Sequence, residues 1–244
     1  MYFKLYLLNM SENIGFAIDD FHFKSNSIFE GLPEEDQAFI KSSLVKHEYK
    51  KGAMLFLEGS YPSGIFYIIE GKVKKFKVDK DGREQIIYVC NNVELLGYPS
   101  LLSEETFSDS ATALEKTIVG FMPKKAFLEL LDKSTVISKR LIKNLSHEFA
   151  VLENSILSIS HKTVRERLAL SLLILRDKYK TKDYKANDTI EIILSRENLA
   201  NIVGTAVETL VRLLRELKDE KMIKTDGRKI IILEPKKLLE IANL

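Results

Sequence analysis

Residues 195–214 read SRENLANIVGTAVETLVRLL, and they parse as helix, turn, helix. Ser195 can cap the first helix, and Gly204 ends it by accepting a left-handed backbone that other residues resist. Thr205 and Glu208, three residues apart, have the spacing of a capping box, which predicts the start of the second helix. Ala200 is small where two such helices touch, and Val203, Leu210 and Leu213 fall on the inward face. Val207, Glu208, Val211, Arg212 and Arg215 are left outward, with Glu208 and Arg212 one turn apart.

An isolated Glu/Arg pair of this kind is an ordinary solvated ion pair, with Glu208 merely capping its own helix. On a recognition surface the same residues read bases: an arginine bonds guanine O6 and N7, and a glutamate accepts from cytosine N4. Ser195, Arg196 and Thr205 are placed near helix N-termini, where phosphates are held. The next segment, residues 222–232, MIKTDGRKIII, favours base reading. It reads as a strand, an Asp-Gly turn carrying basic residues and a second strand, a wing beside the helix pair.

Upstream, the apolar run Ile190 to Leu194 reads as a strand, Lys178 to Asn187 as a polar loop and Arg165 to Asp177 as a helix. Before these, a continuous helix is predicted from about Thr135 to Ser160. Along it Ile142, Leu145, Phe149, Leu152, Ile156 and Ile159 recur at spacings of 3, 4, 3, 4 and 3, the seam of a two-stranded coiled coil. An amphipathic helix packed on its own domain gives a similar stripe; the unbroken spacing over nearly three heptads favours a homodimer. A short helix carrying Phe127, Leu130 and Leu131 follows Pro123.

From Ile28 to Gly120 the period changes. Short β-type runs at residues 53–57, 65–69, 72–78 and 85–89 are separated by glycines, which predicts a sandwich or roll. Asp79-Lys80-Asp81-Gly82 supplies a hairpin turn.

Composition sets the bounds. At 244 residues with 45% hydrophobic content, the chain is long enough for two modest cores. Net charge divides unevenly: residues 1–161 hold 19 Lys and Arg against 22 Asp and Glu, whereas residues 162–244 hold 18 against 13. The C-terminal excess suits a polyanionic partner. Cys90 has no disulfide partner, and the four histidines are scattered without metal-ligand spacing, so a reducing cytoplasm and no metal are expected. The apolar opening, residues 1–8, is too short for a signal segment or a membrane span, and either Met1 or Met10 can be the true start. Walker-type phosphate loops, nucleophile elbows and clustered catalytic groups are missing from the sequence, so no enzyme is expected.

The C-terminal half resembles the catabolite activator and fumarate-nitrate regulator (Crp/Fnr) family of bacterial transcription regulators, whose recognition helix carries the Val-Glu-Thr...Arg pattern of Val207 to Arg212. The N-terminal half agrees: Lys51-Gly52, Glu58-Gly59, Phe66 to Ile69 and Glu70-Gly71-Lys72-Val73 stand where that family's roll has its glycine-marked turns. The resemblance runs from about residue 28 to 233. It implies an α+β chain: an N-terminal extension, 1–27; a cyclic-nucleotide-binding-type β-roll (jelly roll), 28–133; a dimerisation helix, 134–161; and a C-terminal winged helix-turn-helix, 162–244. It carries Glu208 and Arg212 over as base readers and Val207 as a tuner of the flanking base; the family often has a polar residue where Val211 stands. Implied partners are double-stranded DNA at a palindromic operator, a second copy of the chain and RNA polymerase, with no membrane. A ligand-binding module of the same type acting on a protein partner is the alternative.

The resemblance does not extend to cyclic AMP. The family's cyclic-AMP members use a Gly-Glu pair and a nearby Arg-Ser; this chain has Leu96-Gly97-Tyr98 and Ser108-Asp109. Tyr98 removes a sugar-binding acceptor, and Asp109 opposes a phosphate. The helix positions of the family's base-contacting hydroxyls fall on Leu152 and Glu153. Lys116 or Lys124 is the alternative phosphate partner in a repurposed pocket. One cysteine cannot hold an iron-sulfur cluster, and no Cys or His stands at Gly97-Tyr98-Pro99 to ligate haem. Cys90 reads as inert packing rather than a redox switch. The effector is left unidentified.

Overall fold

The structure is a computed structural model that describes residues 18, 20–23, 28–180 and 189–244. The apolar opening, the choice between Met1 and Met10, most of the 1–27 extension and the loop from 181 to 187 lie outside the described residues. The rest forms two compact units, Phe23–Phe149, and the residues up to His22 together with Ala150–Leu244.

In the first unit, helix α1 (Glu34–Ser43) precedes strands β1 (Val45–Tyr49), β2 (Met54–Phe56), β3 (Gly64–Glu70), β4 (Val73–Val78), β5 (Glu84–Cys90) and β6 (Leu95–Leu96). Helix α2 (Tyr98–Leu102), strands β7 (Ser110–Ala113) and β8 (Thr117–Pro123), and helix α3 (Lys124–Lys133) follow. The strands build two antiparallel four-stranded sheets, ordered β1-β8-β3-β6 and β2-β7-β4-β5. Successive side chains of a strand point to opposite faces. On β3, Phe66 and Ile68 enter the core between the sheets, and Ile65 and Tyr67 face a second core with Phe127, Leu130 and Ile137. Both faces being covered, the run Ile65–Ile69 is apolar throughout rather than alternating.

The β4–β5 hairpin turns at Gly82, with φ of 78°, and Asp79 Oδ1 accepts from the amides of Asp81 and Arg83, each at 2.9 Å. A register shift between Lys75 and Phe76 marks a bulge, so Val73 and Phe76 both point inward three residues apart. That irregularity explains the apolar, charged-pair, apolar pattern of β4, and it sends Lys75 toward the polar cluster described below.

Helix α4 (Thr135–His161) runs for 27 residues. Ile137 and Leu141 belong to the roll's second core. Ile142, Phe149, Leu152, Ile156 and Ile159 are exposed, a continuous apolar strip. Leu145 differs from these five, being half-buried against the roll's second core.

The second unit holds α5 (Val164–Lys178), β9 (Glu191–Ile193), α6 (Arg196–Val203), α7 (Val207–Asp219), β10 (Ile223–Asp226), β11 (Lys229–Ile232) and α8 (Pro235–Ile241). Its sheet is ordered β10-β11-β9. Thr163 and Glu166 start α5 with a reciprocal capping box. Leu168, Leu172, Leu199, Leu210, Leu217 and Ile230 are wholly buried. Upstream residues pack here as well: Asn154 Nδ2 donates to the Asp20 carbonyl at 2.9 Å, and buried His22 lies 3.3 Å from Asp177.

Candidate nucleic-acid interface

Ser195 Oγ accepts from the Asn198 amide at 3.1 Å and starts α6. Gly204 ends it in the left-handed conformation, φ 70° and ψ 55°. Its amide and that of Thr205 both return to the Ala200 carbonyl, at 2.9 and 3.1 Å. This last contact corrects the expected start of α7. Thr205 thus belongs to the turn that closes α6, the next helix starts one residue later than expected, and the Thr205/Glu208 capping box does not form. The cap is Ala206, in extended geometry and without a side-chain bond. Glu208 is therefore free of capping and sits in the first turn, where the helix dipole favours a negative charge.

Ala200 is fully buried, as are Val203, Leu210 and Leu213, whereas Val207, Glu208, Val211, Arg212 and Arg215 are exposed. The Glu208–Arg212 ion pair does not form either. Arg212 donates instead to Glu216 Oε1 at 2.7 Å, which aligns its guanidinium along the helix and leaves Glu208 open. Glu216 also meets Arg165 of α5 at 3.3 Å, and Arg165 bonds Glu220 at 2.6 Å. These acids, Glu220 first, raise the Arg165 pKa.

Two arginines absent from the sequence expectations organise this region. Arg165 ties α5 to α7 as just described. Arg167 takes up carbonyls at the end of α6, donating to Val203 at 2.9 Å and Gly204 at 3.1 Å, with a third bond to Lys162 at 2.9 Å. These carbonyls have no partner within α6. Nothing in the local sequence marks either role, since apart from Lys162 the partners lie 36 to 55 residues away.

Arg196, expected at phosphates, is half-buried, and its Nη2 donates to the Gly227 carbonyl in the wing turn at 2.9 Å. Burial lowers its pKa. Its Nη1 is sheltered without a hydrogen-bond partner among the described residues. Arg196 thus ties the first helix of the pair to the wing. Lys224 and Arg228 are exposed on the wing, and Thr205 is half-buried. Lys229 pairs with Glu191 at 2.7 Å, which raises the lysine pKa.

In the roll, Leu96 is buried and Gly97 is left-handed, with φ of 83°. A Cβ there would meet the Phe107 ring at 3.0 Å. Tyr98 is 2% exposed, and its hydroxyl donates to Glu148 Oε1 of α4 at 2.7 Å. Burial pushes the Tyr98 phenol far up and raises Glu148, while the Tyr98 bond and nearby Lys75 pull Glu148 back down. Asp109, also buried, pairs with Lys75 at 2.9 Å, and Lys75 Nζ lies 5.1 Å from the Tyr88 ring centroid. Tyr88 in turn stacks on Phe23 at 4.2 Å. Glu148, Lys75 and Tyr88 were not among the expected pocket residues. Leu152 and Glu153 are exposed side chains of α4.

Exposed Ser108 borders an open depression of about 610 Å³ that also presents Glu58, Glu104 and Glu105. Lys116, the alternative phosphate partner, is paired at the surface with Glu48 at 3.1 Å. Among the described residues no group of three His, Cys, Asp or Glu is placed to hold a metal ion, and no helix is long and apolar enough to cross a membrane.

Comparison with known proteins gives concordant results. Residues 46–134 match the cyclic nucleotide-binding domain family, and residues 166–241 match the Crp-like helix-turn-helix domain family. The transcriptional activator protein Anr of Pseudomonas protegens is 30% identical over 194 residues, covering 80% of this chain and 79% of that protein. The cyclic AMP receptor protein of Thermus thermophilus is 25% identical over 219 residues, 90% of this chain and 98% of that one. The structure of FixK2 from Bradyrhizobium japonicum superimposes with a TM-score of 0.71 at 20% identity, covering 81% and 96% of the two chains.

Proposed function

Since the chain belongs to the Crp/Fnr family of transcription regulators and carries its helix-turn-helix DNA-binding domain, we propose that it works as a homodimer reading a palindromic operator through Glu208 and Arg212. The observation that carries this reading is the outward face of α7. Arg212 and Glu208 stand on it exposed and one turn apart, with Glu208 neither capping the helix nor paired to Arg212. The apolar strip Ile142, Phe149, Leu152, Ile156 and Ile159 of α4 supports pairing with a second copy, which removes it from water. Paired helices then present two recognition helices about 34 Å apart, one turn of duplex. Ser195, Arg196 and Thr205 border this surface; Arg196 contributes by holding the wing at Gly227 as well as by its charge. The dimer acts in the cytoplasm, with RNA polymerase as a further partner and no enzymatic role. The domain division is proposed as 1–27, 28–133, 134–161 and 162–244.

We further propose that cyclic AMP is not its effector. Tyr98 and Glu148 satisfy one another where the family's ligand contacts stand, and Asp109 is neutralised by Lys75 rather than replaced by a phosphate-pairing arginine. The neighbouring depression presents Glu104 and Glu105 beside Glu58, which Lys77 pairs at 3.1 Å, and the two acids without a lysine partner among the described residues oppose an anionic cyclic phosphate. With a single cysteine, iron-sulfur ligation is not proposed, nor is haem.

Selection of bound duplexes from a random DNA pool, followed by titration at two salt concentrations, tests the main reading. Enrichment of an inverted repeat and a steep loss of affinity with salt are expected. A chain that enriches no sequence and whose binding ignores salt is not acting through this surface. Addition of cyclic AMP is expected to change neither the site nor the affinity.

A further inference from the structure

The residues up to His22 group with Ala150–Leu244, and within that unit three successive residues meet three different places. The Asp20 carbonyl accepts from Asn154 Nδ2 of α4 at 2.9 Å. The Phe21 ring centroid lies 6.0 Å from Lys162 Nζ, within reach of a cation–π contact. His22 Nδ1 stands 3.3 Å from Asp177 Oδ2 in the last turn of α5, and the other Asp177 oxygen pairs with Lys180. A bond of 2.9 Å from the Phe21 amide to the Ile18 carbonyl folds the segment into a turn.

A segment that only leads into the roll has no need of this seat. The outermost residues of a domain stay poorly ordered unless tied down, yet Ile18 and His22 are 6% and 3% exposed. An interior histidine costs free energy unless its polar atoms are met, so His22 beside a carboxylate marks a built contact. The three contacts straddle one break in the chain. Helix α4 ends at His161, Lys162 lies between the helices, and Thr163 caps α5. Such a short break lets a few backbone dihedrals change the angle between its helices. Asn154 stands on one side of it and Asp177 on the other, while Lys162 is also held by the Ala242 and Asn243 carbonyls, at 2.6 and 3.2 Å.

We propose that residues 20–22 are a splint across the α4–α5 break, with His22 and Asn154 as positioning residues that fix the angle at which the helix-turn-helix leaves the end of α4. The proposal rests on the reading of the chain as a dimer on a palindromic site. Helix α5 carries Arg165, which bonds α7, and Arg167, which holds the carbonyls at the end of α6. An angle fixed at the break is therefore passed to the recognition helix, and two such angles set the half-site separation that the dimer accepts. One base pair inserted between half-sites moves one of them by about 3.4 Å and turns it by roughly 34°, which a braced pair of helices cannot follow without losing base contacts.

The test uses the full chain and the duplex enriched by selection, with its half-sites moved apart or together by one base pair. The unaltered protein is expected to lose about tenfold in affinity on either altered spacing, the effect of roughly one mismatched base pair. In His22→Ala that penalty is expected to shrink toward unity. Affinity for the parent duplex should fall, because the angle is no longer preorganised, while the G·C preference that Arg212 gives each half-site persists. Asn154→Ala cuts the splint at its other end and, as the second variant, should act alike. A spacing penalty unchanged in both variants overturns the splint, and so does an equal loss at every spacing, the mark of a merely structural contact. An unaltered protein indifferent to spacing overturns it as well. Failure of the selection to enrich any inverted repeat would instead overturn the dimeric reading beneath it.

Discussion

Replacing Tyr98 with Phe removes one oxygen atom from the interior of the roll. The ring keeps its place, since its shape is unchanged and it is only 2% exposed, but Glu148 loses the donor 2.7 Å from its Oε1. A hydrogen bond to a charged acceptor contributes about 1.5–3 kcal/mol, and leaving the half-buried Glu148 carboxylate without its donor incurs a cost of up to that order. For a chain of this size that corresponds to a fall in Tm of roughly 3–12 °C. The loss depends on pH, with a definite sign. Glu148 has its folded-state pKa raised above the unfolded value, by burial first. Its stability contribution is therefore complete below the unfolded pKa and is lost as pH rises through the folded one. The Tyr98 bond opposes that rise, so Tyr98→Phe lifts the carboxylate further and costs most at high pH, where Glu148 is ionised. Glu148→Gln removes the titrating group, and in that background the pH dependence of the Tyr98→Phe effect should vanish. Because the chain has no tryptophan, thermal unfolding followed by far-ultraviolet circular dichroism between pH 5 and 8 is the suitable assay. A Tm unchanged at every pH, or a loss that grows as pH falls, would refute the reasoning.

Three further outcomes are expected. Arg212→Ala should cost about 1–3 kcal/mol at one G·C position per half-site, measured by gel shift on the selected duplex; equal losses on scrambled DNA would show that Arg212 does not read bases. Arg167→Met should destabilise the chain by roughly 2 kcal/mol in urea unfolding, because it strips donors from the Val203 and Gly204 carbonyls; rescue by Lys to the full wild-type midpoint would argue against the three-pronged geometry. Ile156→Asp places a charge on the exposed strip of α4 and should shift sedimentation from dimer to monomer, whereas an unchanged dimer would move the interface elsewhere.

The local signals were legible because their causes are local. Ser195, Gly204 and the Asp-Gly turn at 226–227 act within three or four residues, and each appears where its chemistry places it. The inward and outward faces of α7 follow from helical period alone, and so does the exposed strip on α4. The roll was legible only in outline. Strands β1, β7 and β8 carry no isolated period-two signature; β1 is exposed along nearly its whole length, and its place is set by pairing with β8 far along the chain, Val45 lying opposite Phe121.

The sequence by itself determined the α+β architecture, the winged helix-turn-helix and the residue types on the recognition face, because periodicity, capping and glycine conformations are encoded in short windows. Only the tertiary structure decided what those residues touch. It moved the start of α7 to Ala206 and paired Arg212 with Glu216 rather than Glu208. It bound Arg196 to the wing and closed the roll with Tyr98, Glu148, Lys75 and Asp109. For Arg196 and for the roll the physical reason is shared: a charged or hydroxyl group takes the partner that folding brings within about 3 Å, and those partners lie 31 or more residues away in the chain.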